Sequence, residues 1–149
     1  MKIITAFFLV LMMAKGCTSS ELKKESENIS FEYEASTRGN YFKTLVKQDT
    51  VFNIKGRNQV AERKDLSKSE WNGVLKALSD VDVSKLNNLK APTEKRFYDG
   101  AMMATFRLIY KNETYQVPVF DHGNPPKEIE KLVNEVLKVS QIKNKNNDD

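Results

Sequence analysis

The chain has 149 residues, 24 Lys+Arg against 20 Asp+Glu, and a hydrophobic fraction of 40% that includes eight Phe, five Tyr and one Trp. That is the length of one domain, with enough apolar side chains to exclude wholesale disorder. A single Cys excludes an intramolecular disulfide framework and Cys-rich zinc modules, and a single His excludes sites that draw two or three imidazoles from one chain.

Residues 1–17 read MKIITAFFLVLMMAKGC. Lys2 is a positively charged start, and residues 3–14 are free of charge. The run falls short of the ~20 apolar residues a bilayer span needs but has the length of a signal-peptide core. It ends in Ala14-Lys15-Gly16-Cys17, small residues flanking the site followed by the only cysteine. This segment resembles the lipobox of bacterial lipoproteins, with Ala14 and Lys15 standing where that pattern usually has a large aliphatic and an uncharged small residue. The resemblance implies a signal peptide over 1–16, cleavage before Cys17, diacylglycerol in thioether linkage on Cys17, and a membrane held through that lipid. Thr18 stands where enteric lipoproteins retained at the inner membrane carry Asp. The resemblance therefore implies an outer-membrane lipoprotein facing the periplasm or the cell surface. Ala14-Lys15-Gly16 is also an A-x-G site for ordinary signal peptidase, which would release a soluble protein with a free N-terminal thiol.

Cleavage removes Lys2 and Lys15 and so halves the formal charge of +4, which takes away the electrostatic case for a nucleic-acid partner. Residues 17–28 (CTSSELKKESEN) are polar and charged apart from Leu22, and read as the lipidated Cys followed by a flexible tether. The domain is expected over 29–140, with 141–149 a polar tail.

Within the domain, Ile29, Phe31, Tyr33 and Ala35 alternate with Ser30, Glu32 and Glu34, the period of a half-buried strand. Arg38-Gly39-Asn40 signals a turn. Residues 41–47 make a second strand with Phe42, Thr44 and Val46 inward, and 50–55 a third; residues 56–64 read as loop. Ser67-Lys68-Ser69-Glu70 is a capping box, with Leu66 and Trp71 placed as its hydrophobic staple. Trp71, Val74, Leu75 and Leu78 then fall on one face of a helix ending near Asp80. Residues 82–96 connect to strands over 101–110 and 114–120, joined by Lys111-Asn112-Glu113. Pro118 puts the last strand at an edge or gives it a bulge. After the His122–Pro126 turn, Ile129, Leu132, Val133, Val136 and Leu137 recur at helical spacing to about Val139. The order β-β-β-α-β-β-α predicts an α+β fold, an antiparallel sheet of about five strands with two helices on one face.

Asp121-His122, with Asp99 ahead of the fourth predicted strand, is the group whose residue types suit chemistry, as a base or a shared metal site. Neighbours in an extended strand point to opposite faces, so Asp121 cannot simply orient His122. Turn chemistry explains the same residues: Asp121 accepting backbone amides at a strand end, His122 exposed, and Asn124 capping the second helix. Ser67 is a cap and not a nucleophile. Met102 and Met103 cannot both face the core, and Arg63-Lys64 and Lys95-Arg96 are interrupted by acids and read as solvated surface.

As a whole the chain is similar to short Lys/Asn-rich envelope lipoproteins of the Bacteroidota type. It is expected to be a non-catalytic binding module, monomeric, without a cofactor or metal, lipidated at Cys17 and presenting Asp99, Asp121, His122 and Asn124 as its ligand or partner surface. An inhibitor or accessory subunit of an envelope enzyme is the alternative; an enzyme or metal site using Asp99, Asp121 and His122 is the third reading.

Overall fold

The period-2 pattern of residues 30–36 forms the strand β1 (Ser30–Ser36), with Phe31, Tyr33 and Ala35 fully buried and the intervening residues half-buried. In the computed structural model, which describes residues 18–141, β1 lies near the centre of a six-stranded sheet. The other strands are β2 (Tyr41–Val46), β3 (Thr50–Ile54), β4 (Glu62–Asp65), β5 (Met103–Tyr110) and β6 (Glu113–Asp121), in spatial order β4-β3-β2-β1-β5-β6. Every pairing is antiparallel.

Three helices complete the described residues: α1 (Ser19–Lys24), α2 (Lys68–Ser79) and α3 (Glu130–Ser140). The apolar stripes of α2 (Trp71, Val74, Leu75, Leu78) and α3 (Leu132, Val133, Val136, Leu137) are buried in one cluster with Phe31, Tyr33, Phe106 and Leu108. The helices thus cover one face of the sheet, as the singly amphipathic patterns require. The α2 cap forms as a box: the Glu70 amide donates to Ser67 Oγ at 3.2 Å and the Ser67 amide to Glu70 Oε2 at 2.9 Å. Trp71 packs edge-on against Phe31 with ring centroids 6.0 Å apart. The opposite face of the sheet carries a charged row in which Glu32 accepts from both Lys43 and Arg107, each at 3.1 Å.

Residues 56–64 are not all loop, and the sheet gains a sixth strand from them. β4 reads Glu-Arg-Lys-Asp and has no apolar position for a period to mark. It is held by its ladder to β3 and by Lys64 Nζ donating to the Val139 carbonyl at 2.9 Å. The tether expected over 18–28 is also corrected. Residues 19–24 form α1, residues Ser26–Asn28 a 3-10 turn, and Leu22 is 1% exposed within the core. One apolar residue makes no period, yet its burial docks the segment, and the Thr18 amide reaches the Glu21 carboxylate at 3.3 Å in a capping-box spacing. The expected three-residue loop at 111–113 is shorter: Lys111 and Asn112 alone turn the chain, with φ of 52° and 62°, and Glu113 already pairs with Tyr110. Two successive positive φ values are those of a type I′ hairpin turn. Pro118 meets both expectations, since β6 is an edge strand and its register with β5 shifts between Ala104 and Phe106, opposite that proline.

Candidate functional site

β6 ends at Asp121, and there the chain divides its polar groups between the two sides of the strand. Asp121 is 1% exposed. Its carboxylate accepts from Thr93 Oγ1 at 2.5 Å, the Lys95 amide at 2.8 Å, and the amide and guanidinium of Arg96, both at 3.0 Å. Burial raises the carboxyl pKa, but the Thr93 hydroxyl, the Arg96 amide and guanidinium and the Lys95 amide together outweigh it and hold the group at about 2. Arg96 is largely enclosed, its side chain 9% exposed, and also donates to the Thr93 carbonyl at 2.7 Å. Asn124 closes the knot by donating from Nδ2 to Thr93 Oγ1 at 2.8 Å. Asp121 therefore accepts backbone amides as the sequence implies. Asn124 does not cap the second long helix: the chain enters α3 through the 3-10 turn Lys127–Ile129, whose N-cap is Pro126 without a side-chain cap bond. Both residues pin the connector 89–100 to the end of the sheet.

His122 points the other way. Its amide donates to the Met102 carbonyl at 2.9 Å, and its ring lies edge-on to Phe42 with centroids 5.1 Å apart. It is half-buried, not exposed as turn chemistry implied. Nδ1 is 2.8 Å from the Tyr33 hydroxyl, which comes up from the middle of β1 and is fully buried. Burial raises the Tyr33 pKa well above the ordinary phenol range, only partly offset by a hydrogen bond from the Gly123 backbone. The phenol thus keeps its proton and shares a hydrogen bond with His122 Nδ1, tying the imidazole to the core.

His122 faces a cleft of about 1050 Å³. Its walls are the β1–β2 loop, the loop that follows β3 and the loop that precedes β5, all at one end of the sheet. Two of those loops are clamped by Arg57, which donates to the carbonyls of Thr37 at 2.6 Å and Arg38 at 3.3 Å with its guanidinium 5.7 Å from the centre of the Tyr41 ring. Asp99 sits on the rim, exposed, in the left-handed region at φ 59°. Asp99 and His122 thus border one cleft, while Asp121 and Asn124 belong to the knot behind it. The three-residue chemical group expected from Asp99, Asp121 and His122 does not assemble.

Sequence reasoning missed Tyr33, Phe42, Arg57, Thr93 and Arg96. Tyr33 occupies an ordinary inward strand position, and the only signal was a hydroxyl where the pattern needed none. Arg57 sat in a polar loop, and Arg96 in a cluster read as solvated surface. Among the described residues no group of three or more His, Cys, Asp or Glu side chains is placed to hold a metal ion. No helix among them is long and apolar enough to cross a membrane. The lipidation site expected at Cys17 lies outside the described residues. No known family, no curated protein and no solved structure matches this chain.

Proposed function

We propose that this protein is an envelope lipoprotein, anchored in the outer membrane through lipid on Cys17, whose domain is a non-catalytic, monomeric binding module that uses the cleft beside His122. One observation carries the reading. The N-terminal segment enters β1 at Ser30, beside Ile109, whereas the cleft is built where β1 ends at Ser36, beside Met103. Seven strand residues separate those ends by ~20 Å. An anchor at the start of the chain would hold one end of the sheet toward the membrane and present the cleft away from it. The sheet edges support a monomer. β4 is short and charged at every position, while β6 carries Pro118 and has its Gln116 amide capped by Asn87 Oδ1 at 2.9 Å.

The test has two arms. The intact mass of the protein from native membranes, beside a Cys17→Ser variant, should show loss of residues 1–16 and added acyl chains that the variant lacks. A bare 17–149 chain in soluble fractions overturns the anchor. In a deletion strain, a folded Arg57→Ala/Asp99→Ala protein should fail to complement; full complementation overturns the use of the cleft.

A further inference from the structure

From the chemistry of this cleft, and resting on the binding-module reading above, we infer that its ligand is a neutral, hydroxyl-rich ring compound: an oligosaccharide. The first reason is the state of the cations. Guanidinium and ammonium groups are the strongest side-chain partners of an anion, but here Arg57 is engaged by two backbone carbonyls and stacked over Tyr41, and Lys55 is paired with Glu62 at 2.8 Å. The second is the set of groups left to contact a ligand. Asn40, Asn58, Gln59 and Asp99 border the cleft, three planar amides and a carboxylate. Each amide offers a donor and an acceptor side by side, and the carboxylate two acceptors, the pattern that engages adjacent hydroxyls in pairs.

The third reason is an aromatic platform. Tyr98 is 72% exposed, far more than large side chains with an apolar body usually are, whereas the neighbouring Phe97 ring has the Arg96 guanidinium 4.4 Å from its centre. Tyr98 lies against Gly100, where a Cβ would stand 3.1 Å from its ring, so the glycine lets the ring rest beside a residue that lines the cleft. A sugar ring presents C–H groups on its faces and hydroxyls around its edge. An exposed aromatic face can cover the first while amides and carboxylates take the second. The platform is also held in place before any ligand arrives. The turn Lys95–Tyr98 is fixed by the Asp121 knot through the amides of Lys95 and Arg96, and by Gly100 N–H donating to the Lys95 carbonyl at 2.8 Å. A pre-ordered site loses less conformational entropy on binding.

The experiment titrates the full mature lipoprotein, in detergent, with a panel of neutral oligosaccharides (glucan, xylan, mannan and chitin fragments), read by calorimetry and by NMR shift changes. At least one glycan should bind, with shifts at residues 98–102 and 57–59. Tyr98→Ala should weaken it by about tenfold, Asp99→Ala should weaken it too, and Tyr98→Trp should retain it. These side chains are exposed, so the variants should fold, and thermal melts check that they do. Absence of glycan binding, or binding indifferent to Tyr98→Ala and Asp99→Ala, overturns the inference. A heparin fragment or polyphosphate bound through the same residues overturns the neutral class while leaving the binding module standing. Failure of every probe, together with full complementation by the Arg57→Ala/Asp99→Ala protein, removes both.

Discussion

Asp121 and His122 are neighbours in sequence, and the two regions they enter are built on opposite plans. The knot around Asp121 satisfies a buried carboxylate and a largely enclosed guanidinium with donors and acceptors from two stretches of chain, 93–96 and 121–124. The region around His122 places a half-buried imidazole between Tyr33 and Phe42 beside an open cleft. The difference teaches how a carboxylate next to a histidine divides its work. Strand geometry sends the two side chains to opposite faces, so the carboxylate fixes the scaffold and the imidazole borders the cavity. A pair that looks chemical in sequence becomes one structural group and one surface group.

The largest expected effect comes from emptying the knot. Asp121→Ala leaves the Arg96 guanidinium buried without its partner, together with the Lys95 and Arg96 amides and the Thr93 hydroxyl. Breaking a buried pair on one side costs about 3–5 kcal/mol. Urea denaturation should show a midpoint far below that of the parent. An Asp121→Ala protein of parental stability would mean that the knot contributes nothing.

Acid should do the same more gently. With Asp121 held at about 2, below its ordinary value of 3.8, the folded state binds the proton less readily than the unfolded chain. Its contribution is therefore complete above the unfolded pKa and is lost as pH falls from about 4 toward 2. A shift of that size amounts to about 2 kcal/mol. Denaturation curves between pH 5 and pH 2 should show this fall, and Asp121→Asn should flatten it. An equal slope in both proteins assigns the acid sensitivity to other carboxylates.

On the other side of the strand the effects should be smaller. His122→Ala removes one of the two hydrogen-bond partners of the fully buried Tyr33 hydroxyl and leaves the Gly123 backbone as the other, so the loss should be about 1 kcal/mol. The double variant with Tyr33→Phe should recover part of that loss, because both partners of the bond are then gone. Additive losses would show that the 2.8 Å contact carries no coupling.

How much of this could be seen in the sequence depends on whether a period or a cap was present to mark it. β1, α2 and α3 carry clean apolar periods, Ser67 and Glu70 form a cap, and Pro118 marks the edge strand, so the α+β architecture was legible from residues alone. β4 was not, because four charged residues have no apolar face and the strand exists through backbone pairing. α1 was not, because a single buried leucine gives no repeat, although the Thr18-to-Glu21 spacing carried a cap signal. The site was legible at the level of the segment 121–124 and not at the level of roles. Asp121 owes its environment to Thr93, Lys95 and Arg96, more than twenty residues away in sequence, and the cleft arises where three loops meet at one end of the sheet. Local sequence records neither meeting.

The smallest effect tests the packing of the core face of β2. Thr44 lies directly across from Tyr33 in the β1–β2 ladder, fully buried on the core face, and its hydroxyl has no hydrogen-bond partner. On the adjacent strand its ladder partner Asn53 donates from Nδ2 to the Ser140 carbonyl at 3.1 Å, while its own Oδ1 is buried and unpartnered. The amide orientation is fixed by that carbonyl, which needs a donor and not another acceptor. Thr44→Val replaces an unsatisfied hydroxyl with a methyl of nearly the same shape and keeps a β-branched residue in the strand. It should raise stability by up to about 1 kcal/mol, with the urea slope unchanged, and Asn53 should behave as before. A loss of more than about 1 kcal/mol would mean that the Thr44 hydroxyl does find a partner. The core face of β2 would then be as fully hydrogen-bonded as the knot around Asp121.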